Sequence, residues 1–301
     1  MAYQLEKQTS RPPLACWTLA ACIAHTASIL KIYLIVLSLG VFGIIPSVQS
    51  ANNTPDGFVY DFVYVTEWGA TDVGVSVSHW RIAENQFSMA GEFNASGLVQ
   101  LMADFSGYVN IKARRNDDIW QGQQLVIASH WGSQTSVAET TWSHDGRIAT
   151  TKTDPDPDLE EVHPLDAAML RGVTDPFSAM MTMLNRLDAG KSCSGIFQIY
   201  DGRRRAELSF SDLGIVELEP DRAFAFDGKT QICGMVSLPL GGHRRKSRFT
   251  TRTPDPGKTR AYIARLATGL LVPVRIEVDL FFGQIVTRLD MRRSVFKSRL
   301  E

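Results

Sequence analysis

Apolar and polar residues alternate along most of the chain that follows residue 50. Valines at 73, 75 and 77 alternate with serines at 76 and 78, a period of two that is typical of a strand with one buried and one solvated face. Other short segments are rich in aromatic and β-branched residues, which also favours strands. The pattern predicts strands at 58–65, 73–82, 124–131, 136–142, 147–153, 196–200, 206–210, 224–226, 231–238, 260–266, 271–281 and 284–290.

Short turns join these strands and indicate an antiparallel sheet. Aspartate–glycine pairs occur at Asp145–Gly146, Asp201–Gly202 and Asp227–Gly228, and such pairs favour tight hairpins because they tolerate a positive φ. Phe282–Gly283 predicts one more turn. Helices do not alternate with the strands, which argues against a doubly wound α/β fold. Pro273 interrupts an apolar strand and therefore predicts a sheet edge or a bulge.

One helix is predicted after residue 174. Asp175 is a favourable N-cap, Pro176 suits the first helical position, and Gly190 suits the C-terminal end. Apolar side chains recur at intervals of three and four and form one stripe, and they are Phe177, Met180, Met181, Leu184 and Leu187. We expect this helix to cover the concave face of the sheet as a lid, with its methionines filling the core. A second helical turn is predicted near 97–104.

An acidic segment with two prolines, residues 154–161, separates the strand at 147–153 from this helix. Its alternating aspartates have the spacing of a calcium-binding loop. However, prolines stand between them, and Leu159 occupies the position where such a loop needs glycine. We interpret the segment as a solvated connector and expect no metal there.

The first fifty residues are predicted to lie outside the folded domain, which then comprises 51–301. An apolar run at 32–45 follows a lysine and precedes small residues, which is typical of a secretory signal cleaved after Ser50. An uncleaved N-terminal membrane anchor is the alternative, and residues 19–22 also resemble a lipoprotein processing box. The flanking basic residues place the domain in the periplasm with either a signal or an anchor.

Cysteine usage agrees with export. Two of the four cysteines lie in the N-terminal segment, which leaves Cys193 and Cys233 in the domain. An even pair in an exported chain favours a disulfide, which would stabilise the fold by about 4 kcal/mol in the chain-entropy model. Two unpaired buried thiols are the alternative. Neither cysteine belongs to a C-x-x-C pair, so we expect no metal site.

Signals of catalysis are missing from the sequence. The formal net charge is −1, so no overall field attracts nucleic acid, and we expect no nucleic-acid partner. The chain contains no G-x-S-x-G, phosphate-binding or dinucleotide-binding motif, and its histidines are scattered along the sequence. We therefore predict no catalytic residues and no cofactor, and an enzyme is the least favoured class of function.

Two basic clusters are the candidate binding features. The first is Arg203, Arg204 and Arg205, and the second contains Arg244 and Arg245. If both clusters lie at one end of the sheet, they form a site for anionic groups such as lipid phosphates. The alternative is a solvated rim whose cations discourage edge-to-edge pairing of sheets.

Several short motifs resemble those of the DUF3108 family of exported bacterial proteins. They span about residues 58–290, and they are Gly69-x-x-x-x-Gly74, Asp175-Pro176-Phe177-Ser178, Cys193, Asp201-Gly202-Arg203-Arg204, Cys233, Pro239 with Gly241, and Pro273-Val274-Arg275. The resemblance implies export and a mainly β domain, but no activity. By analogy the architecture is similar to the curved half-barrels of lipoprotein carriers, which hold acyl chains in a concave sheet closed by a helix.

These observations predict a mainly β fold, with one large curved antiparallel sheet or half-barrel and one covering helix. The leading functional hypothesis is a non-catalytic periplasmic binding or carrier domain for an apolar or lipid-like envelope ligand. The alternative is a structural or assembly factor that binds other envelope proteins through a sheet edge or the basic rim. The carrier hypothesis requires an open space between the sheet and the helix.

Overall fold

The computed structural model describes residues 57–246 and 255–297. The predicted signal or anchor at 1–50 lies outside these residues, as do the last two residues of the second basic cluster, 247 and 248. Within the described residues, no helix is long and apolar enough to cross a membrane.

Fourteen strands form one large open antiparallel sheet, which confirms the mainly β prediction. The strands are β1 Phe58–Trp68, β2 Thr71–Ile82, β3 Gln86–Ala95, β4 Phe105–Asn116, β5 Ile119–Trp131, β6 Gln134–Trp142, β7 Ile148–Asp154, β8 Gly195–Tyr200, β9 Arg205–Leu218, β10 Gly228–Gly241, β11 Thr259–Arg265, β12 Leu271–Leu280, β13 Gly283–Leu289 and β14 Val295–Lys297. The helices are α1 Gly97–Ala103 and α2 Pro176–Asp188. Across the sheet the order is β7-β6-β5-β4-β3-β2-β1-β13-β12-β11-β10-β9-β8, and β14 pairs with β1. Most neighbours in the sheet are therefore consecutive in the chain.

The structure corrects two predictions in the second half of the chain. The predicted strand at 224–226 is wrong, because these residues lie in the connection between β9 and β10. The predicted tight turn at Asp227–Gly228 is also wrong, since Gly228 only ends that connection and begins β10. Pro273 lies in an interior strand, opposite a register shift between Tyr262 and Ile263. It therefore marks a bulge rather than an edge.

The sequence pattern misses β3 and β4. The core-facing positions of these strands do follow a period of two, with Phe87, Met89 and Phe93 in β3. Glycine and alanine, which have low strand propensity, occupy other positions on the same face and weaken the signal. Pairing with β2 on one side and β5 on the other overrides this low propensity.

The sheet curls around α2. Strands β5, β12 and β8 occupy the third, ninth and thirteenth places in the sheet order, yet all three contact α2. In a flat sheet, ten strand spacings of ~4.8 Å would separate β5 from β8 by ~48 Å. A helix of thirteen residues is only ~20 Å long. The sheet must therefore be strongly curved, with α2 against its concave face.

The helix α2 begins and ends where the sequence predicts. Asp175 Oδ1 accepts hydrogen bonds from the N–H groups of Phe177 and Ser178, both at 2.9 Å. These bonds satisfy two of the amides that a helix N-terminus leaves free. Gly190 follows the helix with a φ of 72°, a conformation that glycine adopts without strain. The helical turn predicted near 97–104 is also confirmed, as α1.

Side chains fill the space between the sheet and α2. Met181, Met183 and Leu184 are buried and belong to one hydrophobic cluster with the aromatic residues of the sheet. Those aromatic residues include Tyr60, Phe62, Trp80, Phe87, Trp120 and Trp142. The ring of Trp80 packs edge-on against its neighbours in β1 and β3, with centroid distances of 5.1 and 5.5 Å. In the described part of the chain, the concave side of the sheet is thus a packed core.

A disulfide joins Cys193 and Cys233, as predicted, with the two Cα atoms 6.2 Å apart. Both cysteines are completely buried and belong to the same core cluster. Cys193 lies shortly after α2, and Cys233 lies in β10. The bond therefore ties the chain that leaves α2 to the concave face of the sheet.

Candidate functional site

Residues 155–172, which we call the strap, connect β7 to the segment that leads into α2. The strap contains most of the predicted solvated connector, but its centre is attached to the end of β10. His163 N donates to His243 O, and Gly242 N donates to His163 O, both at 2.9 Å. A Cβ on Gly242 would lie 2.0 Å from Arg203 O. Glycine at this position therefore allows the backbone of residue 242 to lie directly against that of Arg203.

The first basic cluster holds the strap and the nearby turn in place. Arg203 Nη2 donates to Val137 O at 2.9 Å and to Pro155 O at 2.8 Å. Arg205 is buried, and its Nε donates to Met169 O at 2.9 Å. Arg204 forms an ion pair of 3.4 Å with Asp201, in the β8–β9 turn. These guanidinium groups are therefore bound to acceptors within the protein.

The second basic cluster contacts the same strap. Val162 forms a β-bridge with Arg244, while Arg245 donates to Glu161 O from its backbone and to Val162 O from its Nε. The structure thus brings the two clusters together at one end of β9 and β10, as the anion-site hypothesis required. Arg203, Arg205 and Arg245 each donate to a backbone carbonyl of the strap, however, which favours a structural role over an open anion site.

Acid should loosen the strap, because two histidines meet where it joins β10. The rings of His163 and His243 stack with their centroids 4.4 Å apart. Burial lowers the pKa of His243 below the ordinary 6.5, and the charges of His163 and Arg204 lower it further. Folding therefore favours the neutral ring of His243. The contribution of this ring to stability is present above pH ~6.5, and it is lost as the pH falls from ~6.5 through the lower pKa of the folded protein.

We therefore expect the Gly242 and Arg245 amides to exchange with solvent several-fold faster, after correction for intrinsic rates, at pH ~5 than at pH ~7.5. Hydrogen exchange measured by NMR checks this prediction. The variant His243→Phe keeps a stacked ring without a titrating group, and its corrected exchange should not depend on pH. Unchanged corrected exchange in the original protein would contradict the prediction.

The residues predicted for the helix lid attach α2 to the sheet. All six are buried or half-buried, and they are Asp175, Pro176, Phe177, Met180, Met181 and Leu184. Burial raises the pKa of the Asp175 carboxyl, although the hydroxyl of Ser178 donates to it at 2.5 Å and opposes the shift. A Cβ on Gly122 would come within 2.4 Å of Asp175 Oδ2, so a glycine in β5 allows this close approach. The helix is a fixed part of the core.

A buried ionic network, which the sequence analysis does not predict, lies on the face of the sheet opposite the core. Leu289 points into the core, so the preceding residue in β13, Arg288, points to the other face. Arg288 forms ion pairs with Glu67 of β1 and, at 2.5 Å, with Asp221. Arg222 Nε lies 2.8 Å from Glu67 Oε1. Four arginines and four carboxylates take part: Arg222, Arg260, Arg275, Arg288, Glu67, Asp221, Glu277 and Asp279.

This network fixes the connection between β9 and β10 against the sheet. Asp221 and Arg222 lie in that connection, whereas the other members lie in β1, β11, β12 and β13. Burial alone would raise the pKa of Asp221, but its hydrogen bond to Arg288 and the charge of Arg275 outweigh burial and lower it. The four arginines are matched by four carboxylates, so the network has no excess charge to attract a ligand. We therefore interpret it as structural.

Strand β9 extends beyond β8 and therefore has a free edge. β8 pairs with β9 only from Arg205 to Phe210, whereas β9 continues to Leu218 and pairs with β10 along that length. Within the residues that the structure describes, no second strand pairs with β9 after Phe210. We call residues 211–218 the β9 edge. A strand with one neighbour presents backbone N–H and C=O groups to a further strand.

The β9 edge is apolar and acidic. Residues 212–217 are all exposed, and Leu213, Ile215 and Val216 have 41%, 62% and 37% of their surface exposed. Proteins usually protect their sheet edges with lysine, proline or short strands, so exposed Leu, Ile and Val side chains here are unusual. Asp212 and Glu217 add negative charge to this edge.

The strand at the other end of the sheet order, β7, shows the usual protection. It is short, and its exposed side chains are polar, with Thr150, Thr151 and Lys152 in its centre. β7 and the β9 edge therefore differ in chemistry. Within residues 57–246 and 255–297, the terminal strand β8 and the short β14 also have one neighbour each, and they expose Ile196 and Val295. The β9 edge differs from them in presenting three exposed apolar side chains, Leu213, Ile215 and Val216.

Two hollows at the surface of the described part are open to solvent. One has a volume of about 670 Å³ and is lined by Asn85, Arg114, Arg115, Asn116, Asp117 and His144. The other, of about 280 Å³, lies in the connection at 220–227. Neither lies between the sheet and α2. Among the described residues, no group of three or more histidines, cysteines or acids is arranged to hold a metal ion.

Comparison with known proteins identifies one matching family. The family described as "Protein of unknown function (DUF3108)" matches residues 63–290. No curated protein matches the chain. Among solved structures, a beta-barrel-like protein of domain of unknown function DUF1849 from Brucella abortus is similar, with 10% sequence identity and a TM-score of 0.43. That similarity covers 80% of this chain and 98% of the other.

Proposed function

Since the chain belongs to the DUF3108 family, whose description supplies no activity, we propose from its geometry that it is a non-catalytic structural or assembly factor of the bacterial envelope. It binds an extended segment of a partner protein along the β9 edge. The observation that carries this proposal is the unpaired, exposed and apolar stretch at 211–218. The signal-like N-terminus and the disulfide support a location outside the cytoplasm.

The filled interior favours this proposal over a lipid carrier. A site for a drug-sized or larger apolar ligand is typically a cleft of about 300–1,000 Å³ with apolar walls. The space between the sheet and α2 is instead occupied by side chains such as Met183, Phe62 and Trp120. The two hollows described above lie at the surface and are open to solvent. The β9 edge is an exposed apolar surface with a missing neighbour. Its Asp212 and Gly214 amides donate to Ser194 Oγ and Asp212 Oδ1, so the positions after Gly214 are those that a partner strand would pair with.

The chemistry of the edge defines its partner. An added strand gains affinity from backbone hydrogen bonds and specificity from alternate side chains. Exposed Leu213 and Ile215 favour apolar residues in the partner, while Asp212 and Glu217 favour lysine or arginine between them. A second copy of this chain would bring the same acidic residues opposite one another, which is unfavourable. We therefore propose an extended segment that combines apolar and basic residues.

A synthetic ten-residue peptide of alternating valine and lysine tests this proposal. Titrated into isotope-labelled protein, it should shift the backbone NMR signals of residues 211–218 and leave those of β2 to β4 unchanged. The same peptide with alternate backbone amides N-methylated cannot complete the hydrogen bonds, and it should bind at least about tenfold more weakly, or by ~1.4 kcal/mol.

A pair of matched variants locates the binding surface. Ile215→Lys removes an apolar contact and repels a basic peptide, so it should weaken binding by about tenfold. Ile119→Lys changes a similarly exposed isoleucine in β5 and should have no effect. Equal binding of the N-methylated peptide, or an equal loss in both variants, would contradict a strand added at the β9 edge.

A further inference from the structure

A polar hollow lies at the end of the sheet where three hairpin turns meet. Asn85 belongs to the β2–β3 turn, Asn116 and Asp117 to the end of β4 and its turn, and His144 to the β6–β7 turn. Arg114 and Arg115, at the end of β4, complete the lining. This hollow takes no part in the proposed binding of an extended segment, because it is built from strands remote from β9 in the sheet order.

The two arginines are held in position by contacts other than salt bridges. Arg114 Nη1 lies 2.5 Å from His144 Nδ1, and Arg114 Nη2 donates to His144 O at 3.2 Å. Arg115 Nη1 donates to Asn185 Oδ1 at 3.4 Å, and its guanidinium lies 5.8 Å from the ring centroid of Trp120. Within the described part of the chain, neither arginine forms an ion pair with a carboxylate. Holding a cation in place without a counter-charge favours capture of an external anion.

Further donors surround the same space. Arg114 Nε is buried and has no hydrogen-bond partner among the described residues. The contact with Arg114 requires His144 Nδ1 to accept, so the ring proton of neutral His144 is on Nε2 and is a further donor. Of the nearby carboxylates, Asp118 is paired with Lys191 at 2.9 Å. Asp118 also interacts electrostatically with Arg115, and Asp117 lines the hollow with a positive φ of 52°; these two carboxylates are the negative groups that would oppose an anion there.

We propose that this hollow binds a phosphate group. Arg115 gives one bond to Asn185 and keeps its other guanidinium donors for the oxygens of a phosphate. The N–H bonds of Arg114 Nη1 and Nη2 that His144 does not take, and the side-chain amides of Asn85 and Asn116, supply more donors than a carboxylate with two oxygens accepts. The phosphate belongs either to a soluble molecule or to a lipid headgroup, because the chemistry of recognition is the same for both.

Inorganic pyrophosphate and vesicles are the two probes of this site. Isothermal titration of the full chain with pyrophosphate should give saturable binding that weakens as salt is raised. Sedimentation with phosphatidylcholine vesicles, with and without phosphatidylglycerol, tests the lipid source. Binding only to pyrophosphate indicates a soluble ligand, and binding only to the anionic vesicles indicates a headgroup. Binding to neither probe would overturn the proposal.

Variants assign the binding to this hollow. Arg114→Gln and Arg115→Gln should each weaken binding of the active probe by about tenfold or more. Asp117→Asn removes one of the opposing charges and should strengthen binding severalfold. Arg171→Gln, which changes an exposed arginine of the strap, is the matched control and should have no effect. An equal loss with Arg171→Gln, or no loss with either of the first two variants while the melting temperature is unchanged, would show that the hollow does not bind phosphate.

Discussion

Replacing Glu67 with glutamine should lower the free energy of unfolding by about 3 kcal/mol, because buried Arg288 loses one of its two carboxylates. Glu67 and Arg288 are only 3% and 4% exposed, and Arg222 also pairs with the same carboxylate. Arg288 then keeps only Asp221 as a partner and Arg222 loses its ion pair, so part of the positive charge of the network is left uncompensated. The β9–β10 connection should loosen at the same time, since Asp221 and Arg222 depend on this network.

Urea denaturation of the Glu67→Gln variant measures this loss. Glu84→Gln is the matched control, because Glu84 is an exposed acid in the β2–β3 turn, and a surface change of this kind usually costs within about 0.5 kcal/mol. The double variant Glu67→Gln with Arg288→Met should be less destabilised than the sum of the two single variants. A loss below about 1 kcal/mol in Glu67→Gln would mean that water reaches this network and that it does not fix the connection.

Removing the disulfide should cost a similar amount. The double variant Cys193→Ala with Cys233→Ala opens a loop of sequence separation 40, which the chain-entropy model values at about 4 kcal/mol. The loss should appear as a lower urea midpoint with a somewhat steeper slope, because the unfolded chain without the cross-link exposes more surface. Because the bond ties the exit of α2 to β10, amides near the end of α2 should lose more protection from hydrogen exchange than those of β3.

Chemical reduction provides an independent check of the same bond. The reduced protein and the double alanine variant should have similar stabilities, and both should be below the oxidised protein. Thiol titration of the unfolded, oxidised domain should find neither Cys193 nor Cys233 reactive. Two reactive thiols, or a double variant as stable as the original protein, would contradict the assigned role of the bond.

Local sequence patterns predict much of the fold, because strand alternation, helix caps and tight turns depend on residues that are neighbours in the chain. The period of two marks strands such as β2, the Asp175–Pro176 pair sets the start of α2, and Asp201–Gly202 makes the turn between β8 and β9. β3 and β4 escape prediction because glycine and alanine dilute the pattern that their neighbours in the sheet enforce. The strand predicted at 224–226 fails because its aromatic residues pack in a connection rather than in a sheet.

The candidate site depends on contacts that no local pattern reveals. The β9 edge is exposed because β8 is shorter than β9, which becomes visible only once the two strands are paired. Glu67 and Arg288 are separated by 221 positions, so their pairing follows from the order of strands in the sheet. The Arg203 cluster was identified by its charge, but its acceptors in the strap are backbone carbonyls, which carry no sequence signal.

Photo-crosslinking in cells tests the central claim most directly. A photo-reactive amino acid in place of Ile215 lies on the β9 edge, and the same amino acid in place of Ile119 is the matched control. The proposal predicts protein adducts from position 215 alone, and mass spectrometry should locate them in a segment that combines apolar and basic residues. Lipid adducts without protein adducts, or the same protein adducts from both positions, would contradict it.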